Sequence, residues 1–105
     1  MPAPCIPDHK ISLYLLNVHS LDGGDHAKFF ISRGFIVEDP RPLIMAILEH
    51  AQPDYFTERV QSAYVVKYIY EGRMPMPDGS NPRIRTVWKL IEDGLMMSLV
   101  TAYAI

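Results

Sequence analysis

Four side chains of this sequence have the chemistry needed to move protons and to stabilise negative charge: His19, His26, Lys28 and Arg85. Histidine titrates near pH ~6.5 and can serve as a general acid or a general base, while lysine and arginine stabilise anionic groups. The four are candidate catalytic residues if the segment around His19 folds over the strand that carries Arg85. The simpler alternative is that His19 bonds to a loop carbonyl and His26 is solvated. We favour this alternative, because a sequence does not show whether distant side chains come together in the fold.

Arg85 lies within a β-rich run, between apolar neighbours. An arginine in such a position either pairs with a carboxylate, for example Glu58 or Glu71, or binds an anionic ligand. The ion pair is the interpretation that we favour.

The other chemistry-bearing residues do not form a metal or nucleotide site. The four histidines lack the spacing of metal ligands, and the single cysteine, Cys5, cannot make a zinc site. Gly23 and Gly24 lack the rest of a phosphate-binding loop. We therefore expect no metal and no cofactor.

Composition indicates one domain, residues 1–105, of ordinary globular character, with 49% hydrophobic and 21% charged residues. The formal net charge of -2 does not favour RNA as a partner, because nucleic-acid binders are usually basic. No apolar run approaches the ~20 residues of a membrane helix, and the first residues lack a signal-peptide pattern. We therefore expect a cytoplasmic protein without a membrane partner.

The elements that must position the candidate residues begin with an extended lead-in over residues 1–10, where three prolines disfavour helix and strand. Capping residues and apolar periodicity predict helices near 11–17, 25–33 and 40–51. The second of these helices should end at Gly34, with Phe35 folding back onto its last turn.

After Pro53 the pattern changes to runs of β-branched and aromatic residues, which predict strands. The strands are expected over 55–60, 63–70, 84–91 and 96–103. The sequence therefore predicts an α+β fold, in which two or three N-terminal helices pack on one face of a three- to four-stranded antiparallel sheet.

The last two strands surround Asp93-Gly94, a strong hairpin signal that fixes which residues face each other. One face, here called the Trp88 face, should meet the helices and share a core with Phe30, Ile47 and Leu48. It is expected to hold the pairs Ile84–Tyr103, Thr86–Thr101, Trp88–Leu99 and Leu90–Met97. The opposite face, here called the Arg85 face, should hold Arg85–Ala102, Val87–Val100, Lys89–Ser98 and Ile91–Met96.

The Arg85 face is mixed in character and should carry several apolar side chains that the helices cannot cover. Soluble monomers usually avoid such a patch, and a symmetric dimer is the commonest way to cover one. We expect a homodimer or a cognate protein partner on this face. The candidate partner-binding residues are Val87, Lys89, Ile91, Met96 and Val100.

Two segments of the chain together resemble a known family. The first runs from Ile6 to Phe35 and contains Tyr14-Leu15-Leu16-Asn17, Phe29-Phe30 and Gly34-Phe35; the second comprises Ile84-Arg85-Thr86-Val87-Trp88 and Leu99-Val100-Thr101-Ala102-Tyr103. They resemble an uncharacterised bacterial domain family whose members occur free-standing and at the ends of polymorphic toxins. The order of elements is also similar, at the level of fold, to the barnase, colicin and RelE group of toxin nucleases. That similarity implies a metal-independent ribonuclease.

The sequence departs from the resembled family at three positions. His26 stands where the family usually has lysine, Ser98 where it often has arginine, and Ala63 where it tends to be basic. The missing basic residues and the net charge of -2 favour one function, an interaction module of a toxin–antidote or mobile-element system. The alternative is a metal-independent ribonuclease-like toxin domain.

Overall fold

A computed structural model describes residues 2–7, 10, 24–91 and 94–105 of the chain. Two α-helices lie in this part, α1 (Gly24–Ser32) and α2 (Arg41–His50), and a 3-10 turn follows them at Pro53–Tyr55. The strands are β1 (Ala3–Cys5), β2 (Phe56–Gln61), β3 (Val66–Arg73), β4 (Arg83–Ile91) and β5 (Met96–Ala104). Neither of these helices is long and apolar enough to cross a membrane. The helix predicted over 11–17 lies outside the described residues.

The five strands form one mixed sheet in the order β1-β5-β4-β3-β2. The prediction of a three- to four-stranded antiparallel sheet is therefore wrong. β2 to β5 pair antiparallel with their neighbours, as expected, but β1 adds a fifth strand and pairs parallel with β5. The predicted strand over 63–70 also begins and ends later, at Val66 and Arg73.

The strand β1 was not predicted, because its prolines disfavour a strand. β1 is an edge strand, so only one side of its backbone has to hydrogen-bond to the sheet. The amide of Ala3 donates to the carbonyl of Leu95 over 3.0 Å. Strand alternation turns the nitrogen of Pro4 to the outer edge, where its missing N–H costs no ladder bond.

The bounds of the two helices lie within one residue of the predicted ones. Gly34 follows the last turn of α1, and its φ of 106° is in the left-handed region that glycine adopts without strain. The amide of Phe35 then donates to the carbonyl of Phe30 over 3.2 Å, and Phe35 is buried. This Schellman-type ending confirms the predicted end of the helix. α2 begins one residue later than expected, with Pro40 in the capping position.

The core lies between the helices and the Trp88 face of the sheet. Phe30 and Ile47 are buried together with Trp88 and Leu99, and Leu48 packs against them while partly exposed. The prediction that these five residues share one core is confirmed. Met74 and Met76, from the segment that connects β3 to β4, fill the same core.

A β-bulge in β5 changes half of the predicted hairpin register. Trp88 pairs with Leu99, as expected, but Val87 pairs with Thr101, so that Val100 is the extra residue. Beyond the bulge every side chain of β5 changes face. Ala102 therefore enters the core at 0% exposure, whereas Tyr103 lies opposite Arg85. Four predicted pairs are therefore wrong, as is the placing of Thr101 and Tyr103 on the core face. The four pairs are Ile84–Tyr103, Arg85–Ala102, Thr86–Thr101 and Val87–Val100.

A buried polar network ties α2 to the sheet. The indole N–H of Trp88 donates to the hydroxyl of Thr86 over 2.9 Å, and Thr86 Oγ1 lies 3.0 Å from His50 Nδ1. His50 Nε2 lies 2.9 Å from the carbonyl of Ile84 and 3.1 Å from that of Gly72. Since carbonyls only accept, Nε2 carries the proton, and Nδ1 accepts from Thr86. His50 is thereby held neutral, in a structural role.

The stability of the protein should fall on mild acidification because of His50. Burial lowers the pKa of His50 below its usual value of 6.5, so below about pH 6.5 the unfolded chain binds a proton that the folded chain does not. Stability contributed by the neutral ring is therefore present above that pH and is lost as the pH falls. We expect the melting temperature of the wild type to drop more steeply between about pH 7 and 5 than that of His50→Gln. Parallel curves for the two proteins would contradict this assignment.

Candidate functional site

The Arg85 face of the sheet gathers much of the positive charge of the chain. Strand alternation places five basic side chains on it, against the acidic side chains of Glu58 and Glu71. The five are Lys67 and Arg73 of β3 and Arg83, Arg85 and Lys89 of β4, half of the ten basic residues in a chain of net charge -2. The chain is therefore acidic overall but has one face that is rich in basic residues.

Two arginines share one carboxylate on this face. Arg85 Nε donates to Glu71 Oε2 over 2.6 Å, and its Nη2 contacts the same oxygen. Arg83 Nη2 lies 3.9 Å from Glu71 Oε1. Glu71 is the second of the two partners that the sequence offered for Arg85. Because one carboxylate faces two guanidinium groups, about one positive charge is left over for an anion.

Tyr103 is the second partner of Arg85. Arg85 Nη1 donates to the hydroxyl of Tyr103 over 3.2 Å, and the guanidinium carbon lies 5.9 Å from the centre of the ring. The hydrogen bonds to Tyr103 and to Glu71 raise the pKa of the Arg85 guanidinium above its usual value. Arg85 therefore stays cationic at every physiological pH.

His26 of α1 also contacts Tyr103. The two rings are stacked, with their centres 5.2 Å apart and their planes 20° from parallel. The His26 ring is partly exposed, yet its Nδ1 is buried and has no hydrogen-bond partner among the described residues. A buried polar atom without a partner is costly and calls for an explanation such as a proton-transfer role. We call the set His26, Tyr103, Arg85 and Glu71 the His26 cluster.

The fold brings the cluster together through the bulge and the helix. The extra residue Val100 turns Tyr103 to the Arg85 face, where it can meet the guanidinium. β1 pairs with β5 only from Met96 to Ser98, so it does not cover the edge of β5 near Tyr103. α1 packs against β5, and it can therefore place His26 on the ring of Tyr103.

The structure unites two of the four candidate catalytic residues. His26 and Arg85 meet through Tyr103, whereas Lys28 is exposed and lies about 200° around α1 from His26. His19 lies outside the described residues. Sequence reasoning missed Tyr103 as a site residue because the bulge that places it there has no signal in the alternation of β5.

The candidate partner-binding residues line the rest of the Arg85 face. Val87, Ile91, Met96 and Val100 are each partly buried, and Lys89 is exposed. None of the four apolar residues is among the strongly exposed hydrophobic side chains of the described part of the chain. The apolar patch is therefore smaller than the sequence suggested.

Across 2–7, 10, 24–91 and 94–105, no three histidine, cysteine, aspartate or glutamate side chains are grouped so that they could hold a metal ion.

Comparison with known families gives one match that spans nearly the whole chain. Residues 3–105 match the model of a family described as "Domain of unknown function (DUF6883)". The expected resemblance to an uncharacterised domain family is confirmed. No curated protein matches the sequence.

Among solved structures, the fold is similar to a chain of a "Contact-dependent growth inhibition toxin - immunity protein complex from Klebsiella pneumoniae 342". The TM-score is 0.75, the sequence identity is 16%, and the match covers 94% of this chain and 91% of the other. At this identity the likeness shows a shared fold, and the fold is one found in a toxin system.

Proposed function

Because the chain belongs to the DUF6883 family, a domain of unknown function, we propose its activity from its geometry: it is a toxin-system domain that cleaves RNA without a metal ion. The observation that carries this proposal is the contact of His26 with Tyr103 and of Tyr103 with Arg85. The shared fold with a chain of a toxin–immunity complex supports the place of the activity in a toxin system.

The reaction that suits these side chains is attack of the RNA 2′-hydroxyl on the adjacent phosphorus. The bond from phosphorus to the 5′-oxygen breaks, which leaves a 2′,3′-cyclic phosphate and a 5′-hydroxyl end. This step needs a base for the 2′-hydroxyl, an acid for the leaving oxygen and a cation for the phosphate.

Arg85 supplies the cation. Its planar guanidinium suits two phosphate oxygens at once, and Glu71 holds it in place from the neighbouring strand. Glu71 does not cancel the positive charge, because Arg83 faces the same carboxylate. An incoming phosphate can therefore bind beside the ion pair without displacing it.

His26 and Tyr103 supply the proton transfers. The His26 ring is partly exposed and forms none of the side-chain hydrogen bonds seen among the described residues, so it can take the proton of the 2′-hydroxyl. The Tyr103 hydroxyl accepts from Arg85 and keeps its own proton free to donate. His19 is a candidate for a second acid or base, by its place in the sequence.

Expression in bacteria tests this function. Production of the wild-type domain should arrest growth and fragment cellular RNA, whereas Arg85→Ala should do neither, because the phosphate loses its cation. Arg59→Ala is the matched control, since Arg59 belongs to the same sheet but lies opposite Tyr68, away from the Arg85 face. Unimpaired growth with intact RNA in cells that make the folded wild type would contradict the proposal.

The second candidate function is an interaction module, and the partly exposed apolar side chains of the Arg85 face favour it. On this account Val87, Ile91, Met96 and Val100 are covered by a second copy of the chain or by a cognate protein, with Arg85 and Lys89 at the rim. The shared fold with a chain found in a complex between two proteins is compatible with such a partner.

Sedimentation at micromolar concentration tests the interaction module. If the face is covered by a second copy, the wild type should be a dimer and Val100→Asp a monomer, because a charge cannot be buried there without a partner. Val37→Asp is the control, since Val37 is 52% exposed in the loop between the helices. A wild type that stays monomeric would remove the homodimer.

A further inference from the structure

A second pair of basic side chains lies on the Arg85 face, at the far end of β4 from Arg85. Lys67 of β3 stands directly opposite Lys89 of β4, and Ser98 of β5 stands opposite Lys89 on the other side. Like charges directly opposite each other destabilise a sheet. Both lysines are exposed, and none of the ion pairs among the described residues involves either of them. Within the part of the chain that the structure describes, two positive charges are thus kept together and neither is offset by an ion pair.

The two lysines border an open cavity of about 430 Å³. Its lining joins Lys67, Lys89 and Ser98 to the aliphatic side chains of Val65 and Val100, and Lys10 also reaches it. This volume lies within the range of small-ligand sites. Cationic and hydroxyl groups beside an apolar wall suit a ligand that has both an anionic group and an apolar ring.

We propose that this cavity, the Lys67–Lys89 cavity, binds one nucleotide unit of a single-stranded RNA. The phosphate lies between the two ammonium groups and the Ser98 hydroxyl, and the base packs on Val65 and Val100. The inference rests on the proposed function and extends it, because it names the substrate as an RNA strand that reaches well beyond the bond that is cut.

The spacing on β4 supports a separate subsite. Lys89 and Arg85 are four residues apart on one strand, which is about 13 Å at ~3.3 Å per residue. A stacked nucleic-acid strand advances only about 3.4 Å per nucleotide. The phosphate in the cavity therefore belongs to a different nucleotide from the one at the His26 cluster, and it contributes to binding without touching the reacting atoms.

An acidic protein segment would also satisfy the lysines, but it would leave the apolar wall unused. Aspartate and glutamate side chains have no ring to place on Val65 and Val100, whereas each nucleotide carries a flat base beside its phosphate. The combination of charge and apolar wall in one cavity therefore favours RNA.

Binding of an RNA that cannot be cut tests the inference directly. The probe is a fluorescein-labelled ten-nucleotide 2′-O-methyl RNA, whose blocked 2′-oxygen prevents cleavage, and the readout is fluorescence anisotropy. Lys67→Gln with Lys89→Gln should weaken binding by about tenfold, and should lower the slope of log K against log salt by about 0.7, because the one phosphate in the cavity loses its contact. Arg41→Gln with Arg59→Gln removes the same charge elsewhere and should bind like the wild type.

The outcomes separate this inference from the proposed function. If binding depends on the two lysines but RNA is not cleaved, only the proposed function is contradicted. If RNA is cleaved but the double lysine variant binds like the wild type, only the inference is contradicted. A dinucleotide that fills only the His26 cluster should be cut equally by the wild type and the double lysine variant. Failure of the wild type to bind the RNA, or equal competition by a ten-residue polyglutamate, would also overturn the inference, the latter in favour of an acidic protein segment.

Discussion

Replacing Trp88 with alanine is expected to lower the free energy of unfolding by about 3–5 kcal/mol. Trp88 is fully buried at the centre of the core, between the helices and the sheet. Its loss leaves a large cavity and also removes the indole donor to Thr86, the first link of the network that ends at His50. Urea unfolding followed by circular dichroism measures the change.

Two further variants separate packing from hydrogen bonding. Trp88→Phe loses the donor but keeps most of the ring volume, so it should cost less than the alanine change, by more than about 1 kcal/mol. Tyr64→Ala is the control for loss of an aromatic ring, because Tyr64 is 97% exposed, and it should change stability by less than about 0.5 kcal/mol. If Trp88→Ala were as mild as Tyr64→Ala, Trp88 would not be a core residue.

Replacing His26 with alanine is expected to reduce the rate of RNA cleavage by about 10²–10⁴-fold, the usual contribution of one general acid or base. Unlike the other members of the cluster, His26 forms no side-chain hydrogen bond among the described residues, so its ring is available for proton transfer. The loss should lie in kcat, because the ring acts on the proton in the transition state and contributes little to binding of the phosphate.

The matched control for His26 lies on the same helix. Lys28→Ala removes a charged side chain that projects from another side of α1, so its kcat should be close to that of the wild type. Equal loss in both variants, or a His26→Ala protein as active as the wild type, would contradict the role given to His26. Circular dichroism of each variant separates a lost function from a lost fold.

The core and both described helices could be predicted because they rest on local, periodic signals. The apolar stripe of α2 and the glycine that ends α1 act within a few residues of themselves. Trp88 and Leu99 also met as expected, because the register of a hairpin close to its turn is set by the turn.

The bulge and the parallel edge strand could not be predicted, for two different reasons. A single extra residue, Val100, leaves the alternation on each side of it intact, and Thr101 and Tyr103 suit either face of a sheet. β1 depends on an open edge of β5 that only the tertiary structure provides, and its prolines argue against it locally.

Only part of the candidate site could be predicted from the sequence, for the same reasons. The sequence could suggest Glu71 as one of two carboxylate partners for Arg85, and the structure shows that ion pair. The contact of His26 with Tyr103 depends on the bulge and on the packing of a helix against β5, neither of which has a local signal. The sequence could therefore name His26 and Arg85 but not the tyrosine that joins them.

The most direct test of the central claim is the chemistry of the RNA ends that the purified domain produces. A defined RNA oligonucleotide is incubated with the wild type in the presence of EDTA, and the masses of the products are measured by mass spectrometry. The proposed reaction predicts cleavage under these conditions, with a 2′,3′-cyclic phosphate on one fragment and a 5′-hydroxyl on the other, and no such products with His26→Ala. Intact RNA with the folded wild type, or fragments that carry a 5′-phosphate, would contradict it.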